Sequence, residues 1–96
     1  MSSWEAIKGK RKDSPARREG YRLAKEAYEL GERVRKARER QGMTQAELAK
    51  RIGSTQPAVA RLEAGGVNPS LATLRRIADA LGLELVVDLR ARRRAA

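Results

Sequence analysis

The stretch Thr44-Gln45-Ala46-Glu47-Leu48-Ala49-Lys50-Arg51-Ile52-Gly53-Ser54-Thr55-Gln56-Pro57-Ala58-Val59-Ala60-Arg61-Leu62-Glu63 reads as two short helices joined by a tight turn. Thr44 and Glu47 have the T-x-x-E spacing of a capping box, in which each side chain takes a backbone N–H that a helix start leaves free. Leu48, Ala49 and Ile52 then share one narrow apolar face. Gly53 ends the first helix, because a residue without Cβ takes positive φ at low cost. Ser54 or Thr55 caps the second, whose inward face carries Val59 and Leu62. A small residue, a turn glycine four later and a β-branched residue six after that let two helices cross closely, the spacing of a helix-turn-helix.

Upstream, Ser14-Pro15 opens a helix, with serine as N-cap and proline tolerated at the first position. Leu23, Ala27, Leu30, Val34 and Ala37 recur at +4 and +3 as far as Arg40, a heptad seam with Tyr21 and Tyr28 beside it. Gly31 costs about 1 kcal/mol against alanine there, so one bent helix and two abutting helices both fit. Before Ser14 lies a polar, basic start containing Trp4 and Ile7. These two are either an anchor for a partner or a segment folding back on the domain.

Downstream, Gly65-Gly66 breaks the chain and Ser70 caps a further helix. Its stripe of Leu71, Leu74, Ile77, Ala78 and Leu81 is expected to meet Val34, Leu48, Ile52, Val59 and Leu62 as the core. After Gly82 the period changes from 3.6 to 2. Leu83, Leu85, Val87 and Leu89 would point one way from a short β-strand, and Glu84 and Asp88 the other. A lone strand needs a neighbour. Either the same strand of a second copy makes a dimerising ribbon, or a foreign sheet edge receives it.

The charge is uneven. Residues 1–40 carry 13 basic and 7 acidic groups, residues 41–89 carry 5 of each, and residues 90–96 add four arginines, within a formal net charge of +10. Such a chain attracts polyanions through its flanks. With no Cys and no His, disulfides, thiolate metal sites and the commonest general base are absent, so neither enzyme chemistry nor a metal or cofactor is expected. The chain has no spanning apolar run and no signal-peptide start, so a cytoplasmic protein that does not enter the membrane is expected.

The second motif helix should run from about Thr55 to Ala64 and present its N-terminal residues to the major groove. Gln56 can pair with adenine N6 and N7, and Arg61 can fork onto guanine O6 and N7 or hold a phosphate. Gln45 to Glu63, with Asn68-Pro69-Ser70-Leu71 and the helix after them, resembles the Cro/cI-type (Xre) helix-turn-helix family across roughly residues 30–82. The resemblance implies an all-α, Cro/cI repressor-like bundle, here with an N-terminal helical extension and a short C-terminal β-strand. It also implies a phosphate contact for Gln45, a phosphate or thymine contact for Thr55 and a base-proximal place for Ala58. Pro57 stands where the family usually carries a polar residue, so one base contact becomes apolar or is lost.

The whole chain is similar to the HigA-type antitoxins: Trp4 in the start, a Pro-initiated helix from Pro15 to Glu29, Gln56-Pro57-Ala58-Val59 in the motif, and a strand after Gly82. That likeness implies a homodimer that represses its own operon at a palindromic site on double-stranded DNA and neutralises a HigB/RelE-like RNase toxin. The toxin would be held by residues 1–29, through Trp4, Ile7, Tyr21, Leu23 and Tyr28. Residues 30–82 would form the DNA-binding domain, with the motif at 45–64, and residues 83–96 the dimerisation strand and arginine-rich tail. A stand-alone Xre-family repressor is the alternative.

Overall fold

A computed structural model describes residues 14–93. Trp4 and Ile7 lie outside the described residues. Four helices follow in order: α1 (Pro15–Arg40), α2 (Gln45–Arg51), α3 (Gln56–Glu63) and α4 (Leu71–Leu81). Each starts on a hydroxyl. Ser14, Thr44, Thr55 and Ser70 all have extended backbone, and their side chains accept from the N–H three residues on. Thr44 and Glu47 close the expected box, with Glu47 N–H to Thr44 Oγ1 at 3.0 Å and Thr44 N–H to Glu47 Oε1 at 3.1 Å.

The bond from the Thr44 backbone holds the Glu47 carboxyl below its ordinary pKa of 4.5. A lowered folded pKa means the cap's contribution is complete above that ordinary value and fades as pH falls through the folded one. Glu47→Gln is therefore expected to flatten part of the loss of thermal stability between about pH 5 and pH 3, measured by melting. Parallel declines in the two proteins would remove Glu47 as a cause.

Helix α1 is continuous through Gly31, and the reason lies in packing. Gly31 is buried where α1 passes the end of α3. A Cβ built there would stand 2.7 Å from the Glu63 carbonyl oxygen and closer still to that of Leu62. Glycine is present because two backbones touch, not because the helix bends. Between α2 and α3, Gly53 takes φ of +68°, and the Ser54 N–H reaches back to the Ala49 carbonyl at 2.8 Å. This turns the chain within the four residues, Ile52 to Thr55, between the two helices.

The core joins Val34 and Ala37 of α1, Leu48 and Ala49 of α2, Val59 and Leu62 of α3, and Ile77 and Leu81 of α4, with Met43 and Ile52 from the connections. Leu48 is wholly inaccessible. Each large aliphatic side chain buried there contributes roughly 1.5–3 kcal/mol. Leu71 departs from the expected stripe and is 59% exposed. As the first residue of α4, its Cβ points back past the helix start, beyond the reach of α2 and α3.

The expected C-terminal β-strand is not formed. Residues 83–93 adopt no regular secondary structure, and no strand occurs among the described residues. Leu83, Val87 and Leu89 are exposed, Leu85 is half-buried, and Val86, of the opposite parity, is exposed too. An alternating pattern supplies side chains for a sheet but not the second row of N–H and C=O groups that makes one. No helix among the described residues is long and apolar enough to cross a membrane.

Candidate nucleic-acid interface

Helix α3 lies across α2 with Gln56, Pro57 and Arg61 exposed and Val59 and Leu62 turned inward. Proline is free in the first turn, where its missing N–H would have no helical partner. Thr55, the N-cap, accepts from the Ala58 N–H at 3.3 Å, a bond that leaves its own O–H able to donate outward. Ala58 is half-buried behind the exposed edge.

A polar chain runs from the interior to this edge. Arg38 of α1 and Glu63 of α3 are buried, at 8% and 6% exposure. The Arg38 Nε donates to Glu63 Oε2 at 2.7 Å and Nη2 to Oε1 at 3.0 Å, while Nη1 donates to the Met43 carbonyl at 2.8 Å. Hydrogen bonding to Glu63 raises the guanidinium pKa further above its ordinary value, against the opposing effect of burial. Gln45 Nε2 donates to Glu63 Oε1 at 3.0 Å, and Gln56 Nε2 donates to Gln45 Oε1 at 2.7 Å.

The direction of this chain is imposed by Glu63. An ionised carboxylate only accepts, so Gln45 must turn its NH2 inward and its oxygen outward. Gln56 must then offer its NH2 to Gln45. One N–H and the Oε1 of Gln56 remain uncommitted, the pair an adenine edge requires. Gln45 likewise keeps one N–H for a phosphate. Gln56 and Arg61 were legible as candidate readers from helix geometry, and Gln45 as a phosphate contact from family resemblance. Arg38 and Glu63 were not, because 25 residues separate them and nothing local pairs them. The available signal was a lone glutamate on the inward side of α3.

The remaining expected residues sit elsewhere. Tyr21 and Leu23 lie on the N-terminal half of α1 and Tyr28 at its middle, with Leu23 exposed and both tyrosines half-buried. Tyr28 backs the turn at Gly65, whose Cβ position is 2.8 Å from the Tyr28 Cα. Leu23 continues the apolar seam of Ala27, Leu30 and Val34 past the end of the bundle. It is therefore a surface distinct from the α3 edge.

Comparison with known proteins agrees with this geometry. The helix-turn-helix family HTH_3 matches residues 34–87, more than half the chain. An uncharacterized HTH-type transcriptional regulator of Methanothermobacter thermautotrophicus is 45% identical over 56 residues, covering 58% of this chain and 81% of that protein. The immunity repressor protein of Bacillus phage phi105 is 34% identical over 56 residues, covering 58% of this chain. The match spans only 39% of that repressor, and a Sinorhizobium fredii regulator, 38% identical over 68% of this chain, is covered to 33% of its length. Among solved structures, the restriction-modification controller protein C.AhdI of Aeromonas hydrophila superposes with a TM-score of 0.61 at 31% identity, over 64% of this chain and 88% of that one. The chain is a member of the helix-turn-helix family HTH_3, a sequence-specific DNA-binding transcriptional regulator rather than an enzyme.

Proposed function

We propose that the chain binds a palindromic operator as a homodimer and represses transcription, with Gln56 and Arg61 reading bases and Gln45 and Thr55 positioning the helix on phosphates. The observation carrying this reading is the Gln56–Gln45–Glu63–Arg38 chain, which holds an adenine-competent carboxamide at the exposed start of α3. Pro57 and Ala58 would meet the groove through apolar contact. So few readers per half-site call for two half-sites. The exposed Leu83, Val87 and Leu89, with half-buried Leu85, supply apolar surface that a second copy would cover. Gln56→Ala and Arg61→Ala should each weaken binding to the selected operator roughly 5- to 150-fold, about 1–3 kcal/mol, without lowering the melting temperature. Unchanged affinity in both would remove them as readers.

The same proposal extends to antitoxin action. The half of α1 before the bundle carries Tyr21 and Leu23 beyond what a minimal domain needs, a docking face for a HigB/RelE-like RNase toxin alongside Trp4, Ile7 and Tyr28. A stand-alone repressor is favoured by one observation: residues 1–40 have an excess of basic groups, as do most toxins of that class. Leu23→Asp separates the two readings. It should abolish growth rescue on co-expression with the adjacent gene's product while sparing operator binding. Full rescue by the variant would count against docking at this face.

A further inference from the structure

A cleft of about 270 Å³ opens between α3, the turn that precedes it at Gly53 and Ser54, and α4. The buried core side chains Ile52, Val59 and Ile77 and half-buried Val67 line its apolar floor, and exposed Arg61 and Arg76 line it nearer the surface. The Nη2 of Arg76 donates to Thr73 Oγ1 at 3.4 Å, which keeps the guanidinium beside the opening. Among the described residues, no carboxylate forms an ion pair with either arginine. An apolar floor under two unpaired cations fits a molecule with an anionic head and an apolar body, in the manner of small-molecule sites that combine aliphatic walls with a few convergent polar groups. Water does not satisfy the floor, and a nucleic-acid phosphate has no apolar part to fill it.

We propose that this cleft is an effector site for a free medium-chain carboxylate. The head is held by charge-assisted hydrogen bonds from Arg61 and Arg76, and the alkyl chain lies over Ile52, Val59, Val67 and Ile77. Because Arg61 also belongs to the DNA-reading edge, occupation withdraws it from DNA, and the ligand acts as an inducer. Only that last consequence rests on the function proposed above; binding itself does not.

The test is titration of the isotope-labelled full chain, followed by amide chemical shifts, with octanoate, octan-1-ol and inorganic phosphate as separate probes. Octanoate should produce saturable shifts at Ala58, Val67, Thr73 and Ile77, with a dissociation constant at least about tenfold below that of octan-1-ol. Arg76→Gln should remove most of that difference, and Val67→Phe, which fills the floor, should abolish saturation while the spectrum stays folded. Equal affinity for acid and alcohol overturns the proposal, as does saturation by phosphate alone. So does the absence of saturation by octanoate up to about 10 mM, or shifts confined to residues 83–93. If octanoate binds as expected yet leaves operator affinity unchanged, the site stands and the inducer role falls.

Discussion

Glu63→Ala is expected to lower stability by about 3–5 kcal/mol, because it leaves the Arg38 guanidinium buried without its counter-charge. For a domain of this size the melting temperature should drop by at least about 12 °C. The second consequence is at the surface. With Glu63 gone, nothing dictates which end of the Gln45 carboxamide faces inward, and Gln56 loses the partner that orients it. A double variant isolates this effect. Arg38→Met with Glu63→Leu replaces both charges by apolar groups of similar size, so stability should return to near the parent value or above it. Discrimination at the base proposed for Gln56 should remain weakened, as measured by operator variants at fixed salt. Recovery of both stability and discrimination in the double variant would show that the buried pair does not position the reader.

Gly31→Ala should be nearly as damaging, although alanine is the better helix former by about 1 kcal/mol. The added methyl would meet two carbonyl oxygens of α3, which are backbone atoms and cannot rotate aside. Either α1 and α3 separate, opening the core at Val34 and Leu62, or the end of α3 unwinds. Overpacking of side chains costs about 1–3 kcal/mol, and backbone against Cβ belongs at the upper end of that range. The shift also moves Glu63, so operator affinity should fall with stability. Thermal denaturation and binding on the same sample test both. A Gly31→Ala protein as stable as the parent would mean that the crossing is looser than the distances imply.

The two effects explain what was legible in the chain. Hydroxyl caps, the turn at Gly53 and the 3.6-residue stripes are local signals, each contained within one helix or its ends, and the helices formed where those signals fall. Gly31 read as a possible break because a local reading sees only lost helix propensity; its real constraint is the pair of carbonyls of Leu62 and Glu63, far along the chain. Leu71 read as core by periodicity, yet its place at the helix start leaves it outside. The alternation from Leu83 to Leu89 is equally clear in sequence, but a strand is a property of two chains of hydrogen-bonding groups, and periodicity describes only one.

From residues alone follow the capped helical segments, the crossing of α2 with α3, the absence of Cys and His chemistry, and Gln56 and Arg61 as candidate readers; family resemblance added Gln45 as a phosphate contact. Tertiary structure decided how the two glutamines are oriented. Arg38 and Glu63 meet only when α1 and α3 pack, and a buried carboxylate that can only accept sets the polarity of every amide bonded outward from it. Side-chain type is encoded position by position, whereas hydrogen-bond direction belongs to the assembled network.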